Sequence, residues 1–146
     1  MLLQKEKDCS AGEKKLIEAA RLISKNAYCP YSHYHVGAAL LCADGSIYTG
    51  CNIENISYSP AICGERTAFC EAVSDNQREF RAIAVIGYFE TNHDPQTYSA
   101  PCGVCRQVMN EFCDPDMFQV ILANEHGDVK KYKLKELLPE SFSPRR

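Results

Sequence analysis

The chain has 146 residues, 45% of them apolar and 24% charged, with a formal net charge of -3, which fits one domain able to bury a core without staples. A polyanion-binding protein usually carries a basic stripe; no long Lys/Arg run occurs, so a small-molecule substrate is favoured over nucleic acid. No run of about 18 apolar residues suggests a membrane span, and the start Met1 to Asp8 turns charged after three residues, unlike a secretory leader.

Residues 1–9 read as a loose tail on one domain spanning 1–146. Ser10-Ala11-Gly12-Glu13 fits a capping box, in which Ser10 and Glu13 satisfy free backbone N–H groups. Leu16, Ile17, Ala20, Ile23 and Ala27 then form one apolar stripe, predicting a helix that ends near Tyr28, before Pro30. Val36 to Cys42 and Ile47 to Asn52 flank Ala43-Asp44-Gly45-Ser46, a strong hairpin signal. Beyond the second strand, Asn52 and Glu54 share one side of an extended segment. An amide and a carboxylate there either read a sugar hydroxyl or end a strand in water.

A helix is predicted from Gly64 to Asp75, burying Ala68, Phe69, Ala72 and Val73. Cys63 and Glu65 therefore lie at its start. Ala82 to Gly87 is a short apolar run suited to a strand buried on both faces, and Tyr88 to Ala100 reads as a loop containing Pro95. Pro101 suits the start of a second helix, with Val104, Val108, Met109 and Phe112 as its apolar face. Strands follow at Phe118 to Ala123 and Val129 to Tyr132, and Lys135 to Pro139 forms a closing turn. Alternating helices and strands predict a three-layer α/β domain around a largely buried sheet.

The nine cysteines, an odd count without a secretory leader, argue against a disulfide framework and for a reducing cytosol. Six read as small buried hydrophobes. The other three, in Cys63-Gly64-Glu65-Arg66 and Pro101-Cys102-Gly103-Val104-Cys105, can hold one metal ion. Cys102 and Cys105 share one side of a first helical turn, and both helix N-termini favour thiolates. Three protein ligands leave a fourth position for water, the catalytic zinc pattern. A closed structural zinc is the alternative, but Cys70 and Cys113 lie too far along, and His33, His35, His93 and His126 lack paired spacing.

Glu65 beside the thiolates fits the signature of zinc-dependent base deaminases, whose non-ligand glutamate moves protons. In that role it takes a proton from the attacking water, passes it to N3 of a pyrimidine, and later protonates the departing amine. Three thiolates on a dication leave a net charge of minus one. Arg66 either hydrogen-bonds a thiolate and offsets that charge, or forms a solvent-facing pair with Glu65 or Glu71.

From about Glu13 to Pro144 the sequence resembles the small homotetrameric cytidine deaminases. The matches include Cys29-Pro30-Tyr31-Ser32, Val36 to Leu40, Gly50 to Asn55, Cys63 to Ala68, Pro101 to Val108 and Glu136 to Pro139. The resemblance implies a cytoplasmic enzyme of pyrimidine salvage that hydrolyses cytidine and 2′-deoxycytidine to the uridines. It implies an α/β/α fold with a mixed five-stranded sheet, one zinc per subunit on Cys63, Cys102 and Cys105, and Glu65 as proton shuttle. Asn52 and Glu54 are implied to hold the ribose, Arg66 to hydrogen-bond a thiolate, and Tyr58 and Phe142 to reach a neighbouring subunit's pocket. Local packing is the alternative for Phe142. Two positions depart from the family. Tyr34 stands where phenylalanine is usual, beside the sugar, and Gly64 stands where alanine is usual, keeping the N–H that meets the pyrimidine O2. Glycine there is expected to loosen the helix start by roughly 0.5–1 kcal/mol. A deaminase of a modified nucleoside or nucleoside antibiotic is the rival on the same chemistry.

Overall fold

The computed structural model describes residues 1–91 and 94–142; His93 and Pro144 lie outside the described residues. In chain order the elements are β1 (Leu2–Lys5), α1 (Ala11–Ser24), β2 (Tyr34–Cys42), β3 (Ile47–Cys51), α2 (Gly64–Ser74), β4 (Phe80–Phe89), α3 (Gly103–Phe112), β5 (Gln119–Ala123), β6 (Asp128–Lys133) and α4 (Leu134–Leu137).

The strands form one mixed sheet in the order β1-β6-β5-β4-β2-β3. It has six strands, not the expected five. The addition is β1, pairing antiparallel with β6 from Leu2 opposite Lys131 to Lys5 opposite Asp128. Part of the expected loose tail is thus an edge strand, and its backbone covers what would otherwise be the open edge of β6. Among the described strands only β4 and β5 run parallel, with α3 as the crossover that parallel neighbours require.

The capping box closes as expected, Ser10 N–H donating to Glu13 Oε2 at 2.9 Å and Glu13 N–H to Ser10 Oγ at 3.3 Å. The helix stops at Ser24, sooner than predicted. Leu16, Ile17 and Ala20 pack on Ala39, Ala84, Ile86 and Ile121 on one face of the sheet. On the other face, α2, α3 and α4 enclose the larger core, from Ala68 and Phe69 through Met109 and Leu134 to Leu40, Val85 and Val120. This is the expected three-layer arrangement.

Phe69 anchors α2 to its neighbours, its ring centroid lying 5.0 Å from Phe80, 5.9 Å from Phe112 and 6.4 Å from Phe118. Such aromatic pairs contribute about 0.5–1.5 kcal/mol each beyond area burial. Two glycines allow helices to lie directly on strands. A Cβ on Gly37 would meet Ala20 O of α1 at 2.0 Å, and one on Gly50 would meet both Ala68 N and Gly64 O of α2 at 2.4 Å.

Several expectations shift. Tyr88 and Phe89 belong to β4, not to the following loop. Val73 is only part-buried, and Val104 is 58% exposed despite its place in the apolar periodicity of α3. Of the six cysteines outside the motifs, Cys9, Cys29, Cys42 and Cys113 are buried as expected, whereas Cys51 is part-buried and Cys70 exposed. All nine are free thiols.

Candidate metal centre and active site

Cys63 is the N-cap of α2 and Cys102 the N-cap of α3. Close packing of α2 on β3, and of α2 on α3 through Phe69, brings these two helix starts together. Cys63 Sγ lies 3.9 Å from Cys102 Sγ, which lies 3.5 Å from Cys105 Sγ. All three sulfurs fall within 4.8 Å of one another. A tetrahedral zinc with Zn–S bonds of about 2.3 Å sets its sulfurs about 3.8 Å apart, so the donor set fits the ion. Among the described residues no fourth His, Cys, Asp or Glu joins the group. That favours the open site over the closed structural alternative.

The electrostatics favour a thiolate at Cys63. The Cys63 thiol is held down at about 5, chiefly by hydrogen bonding to Cys105 and then by Arg66 and Cys102 against the effect of burial. Cys105 is pushed the other way by Cys63 and by its own burial, so Cys63 ionises first. Arg66 Nη2 lies 3.8 Å from Cys63 Sγ and donates to Ala61 O at 3.2 Å. This sulfur contact is the one that the first reading of Arg66 requires.

Glu65, in the first turn of α2, is only 4% exposed. Burial is the main reason its carboxyl is raised to about 7, with the neighbouring Cys63 adding to the rise. A carboxyl with that affinity can both take and give a proton near neutral pH.

The cluster opens into a cleft of about 430 Å³ lined by Tyr34, Asn52, Glu54, Tyr58, Gly64, Glu65, Arg66, Cys63 and Cys102, among others. That volume suits a nucleoside-sized ligand. A larger cavity of about 510 Å³ lies between α1 and β4–β5, on the opposite face from the thiols, and has no part in this chemistry. The cleft also takes Ser32, Val36, Ser99 and Ala100, which the sequence did not single out. Ser99 and Ala100 had one available signal, their place directly before Pro101-Cys102.

Asn52 and Glu54 reach the cleft while bracing the backbone. Asn52 Oδ1 accepts from Val36 N–H at 2.8 Å and its Nδ2 donates to Tyr34 O at 2.8 Å. Glu54 Oε2 accepts from Tyr31 and Ser32 N–H at 2.9 and 3.2 Å, and hydrogen bonding to Ser32 heads the influences that lower its carboxyl. Tyr34 packs its ring 4.6 Å from that of Phe89. Its hydroxyl lies over Gly87 beside Ser99; a Cβ on Gly87 would meet that oxygen at 2.7 Å.

Tyr58 is 88% exposed and Phe142 87% exposed. Tyr58 borders this chain's own cleft. Phe142 is not among the cleft residues, and its backbone oxygen accepts from Gln107 Nε2 and Asn110 Nδ2, each at 2.9 Å.

Residues 10–121 match the family profile described as the cytidine and deoxycytidylate deaminase zinc-binding region. A cytidine deaminase of Sporosarcina psychrophila is 48% identical over 130 residues, covering 89% of this chain and 90% of its own. The crystal structure of a cytidine deaminase from Burkholderia pseudomallei superimposes with a TM-score of 0.80 at 45% identity, over 88% of this chain and 98% of the other. A blasticidin-S deaminase of Bacillus cereus is more distant, 30% identical over 112 residues, 75% of this chain and 78% of its own.

Proposed function

The chain belongs to the zinc-binding cytidine and deoxycytidylate deaminase family, and from that premise we propose that it hydrolyses cytidine and 2′-deoxycytidine to uridine and 2′-deoxyuridine, releasing ammonia, in pyrimidine salvage. The observation that carries the reading is the buried Glu65 carboxyl beside three convergent cysteine sulfurs at the base of a nucleoside-sized cleft. Similarity favours cytidine over a nucleoside antibiotic, because the cytidine deaminase relative stands at 48% identity and the blasticidin-S deaminase at 30%.

Cys63, Cys102 and Cys105 would hold the zinc, which would supply the Lewis acidity for activating water at neutral pH. Glu65 takes one proton from the attacking water and delivers it to N3, which makes C4 electrophilic. It then carries the second proton to the departing amine, so one water and one cytosine amine become a carbonyl and ammonia. Arg66 offsets the excess negative charge of three thiolates. Asn52 and Glu54 read the ribose, Tyr34 lines its side of the cleft, and the Gly64 N–H meets the pyrimidine O2.

The exposure of Tyr58 and Phe142 supports a homotetramer in which neighbouring subunits complete each site. Nine free thiols support a reducing cytoplasm. Among the described residues no helix is long and apolar enough to cross a membrane.

The test is loss of cytosine absorbance on cytidine, 2′-deoxycytidine, free cytosine, the 5′-monophosphate and single-stranded DNA. Activity on the two nucleosides is expected, and activity confined to the polymer would overturn the substrate. Glu65→Gln is expected to lower turnover by about 10²–10⁴-fold while zinc content and folding persist. An active Glu65→Gln variant would refute the proton shuttle. A sizing measurement that finds an active monomer would remove Phe142 from a neighbour's site.

A further inference from the structure

A second set of metal-ligating side chains converges where the end of β4 meets the loop between α1 and β2. The Cys29 sulfur, a ring nitrogen of His35 and a carboxylate oxygen of Glu90 all lie within 4.8 Å of one another. Cys29 is 5% exposed, His35 part-buried and Glu90 exposed, so the group is walled on one side and open to solvent on the other. His33 Nδ1 lies 3.2 Å from Glu90 Oε2, the oxygen turned away from His35.

The orientation of His35 is informative. Its Nδ1 lies 3.2 Å from Ser24 O, and a carbonyl only accepts, so Nδ1 carries hydrogen. Its Nε2 lies 2.8 Å from Glu90 Oε1. With Nδ1–H given to Ser24, that contact needs a second proton on Nε2, as in the His35–Glu90 ion pair, or a metal cation bound beside both atoms in the proton's place. Metal-ligating histidines characteristically donate the other ring N–H to a backbone carbonyl or carboxylate, and His35 does so to Ser24. Tyr88 stacks on the His35 ring at 5.3 Å and 4°, while Glu90 N–H donates to His33 O at 3.0 Å. The cluster is therefore held by packing and backbone on several sides. Burial and the nearby carboxylates of Glu54 and Glu90 push the Cys29 thiol up, and the negative field that retains its proton also attracts a dication.

We propose that Cys29, His35 and Glu90, with His33 at the rim, form a second binding site for a borderline divalent cation of the zinc, cobalt or nickel class, filled independently of the Cys63 cluster. A thiolate, an imidazole and a carboxylate are the mixed donors such ions take, whereas magnesium and calcium require oxygen. Binding exchanges the Cys29 S–H bond for a sulfur–metal bond and releases the proton to solvent, so affinity rises with pH. The loop so tied carries Tyr31 and Ser32, whose N–H groups bind the Glu54 carboxylate. An ion here stiffens one wall of the proposed sugar site.

The test loads the chain with a single equivalent of zinc, which the three-sulfur cluster takes in preference to a site with one sulfur, then adds cobalt(II) and counts both metals per chain. One zinc and one cobalt are expected, with a near-ultraviolet sulfur-to-cobalt charge-transfer band. Cys29→Ser should abolish the band. Glu90→Gln, at an exposed position that tolerates substitution, should weaken cobalt binding by more than about tenfold. Neither side chain lines the cleft, so neither change should alter deamination in cobalt-free buffer. No cobalt beyond the zinc, cobalt that enters only by displacing zinc, or a band and affinity unchanged in both variants would each overturn the site.

Discussion

Arg66 Nη2 approaches Cys63 Sγ to 3.8 Å, while the buried Nε of the same guanidinium has no hydrogen-bond partner among the described residues. A cation in the first turn of a helix opposes the helix dipole, so Arg66 stabilises α2 little by its position alone. Its charge acts on the thiolates. Arg66→Gln is expected to lower zinc affinity and turnover by about 10–100-fold with the fold intact, measured by zinc retention against a chelator and by kcat. Unchanged retention and turnover would return Arg66 to an ordinary surface role.

Gly50 and Gly64 set how closely α2 lies on β3, and they should respond differently to alanine. A Cβ on Gly50 meets backbone at 2.4 Å, so Gly50→Ala must push α2 and Cys63 outward. Overpacking of that kind costs about 1–3 kcal/mol, and the midpoint of thermal unfolding and the zinc content should fall together. On Gly64 the nearest atoms are Gly50 O at 3.1 Å and Val36 O at 3.3 Å, and Val36 O already accepts from Asn52 N–H at 3.2 Å. From the sequence alone Gly64→Ala should stabilise, through helix propensity. Against this tight backbone the gain of roughly 0.5–1 kcal/mol is offset, and a near-neutral to slightly lowered midpoint with normal turnover is expected. A clear rise would show that the strands yield.

What the sequence made legible follows from how local the signals are. Cys63 and Cys102 could be placed at helix starts because the capping position, Pro101 and the ligand spacing all act within a few residues. The strand at Leu2–Lys5 could not, because its short and partly charged sequence has little strand character, and tertiary pairing with β6 overrides weak local preference. Val104 keeps helical periodicity yet stays exposed, since periodicity cannot tell which turn of α3 extends past its packing partners. The meeting of Cys29, His35 and Glu90 depends on the antiparallel register of β2 and β4, with His35 opposite Tyr88. Nothing in the sequence near His35 announces a carboxylate 55 positions away.

Asn52 and Glu54 can be separated by which part of the fold each supports. Asn52→Asp removes the donor to Tyr34 O and puts a carboxylate against a carbonyl, so it should cost about 1–3 kcal/mol of stability as well as nucleoside affinity. Glu54→Gln keeps an oxygen able to accept from Tyr31 and Ser32 N–H, so the loop should hold. Its effect should appear as a KM raised by about tenfold or more, consistent with about 1.5–3 kcal/mol for a hydrogen bond to a charged group. Denaturant titration beside steady-state kinetics checks both. A Glu54→Gln variant with unchanged KM would remove Glu54 from the ribose.

The ion pair between Glu13 and Lys131 ties the start of α1 to β6 and gives the fold an acid-sensitive component. Burial works to raise the Glu13 carboxyl, but Lys131 and the Ser10 N–H and hydroxyl outweigh it, leaving the carboxyl below its ordinary value of 4.5. A carboxylate depressed on folding contributes stability that is fully present above its unfolded pKa and lost as pH falls through the folded one. Glu13→Gln should therefore cost about 1 kcal/mol near pH 7, the scale of a partly exposed ion pair, and progressively less once pH drops below about 4. Urea unfolding of both proteins across that range would read the difference. A cost that stayed constant down to strong acid would mean that packing, rather than charge, is what Glu13 supplies.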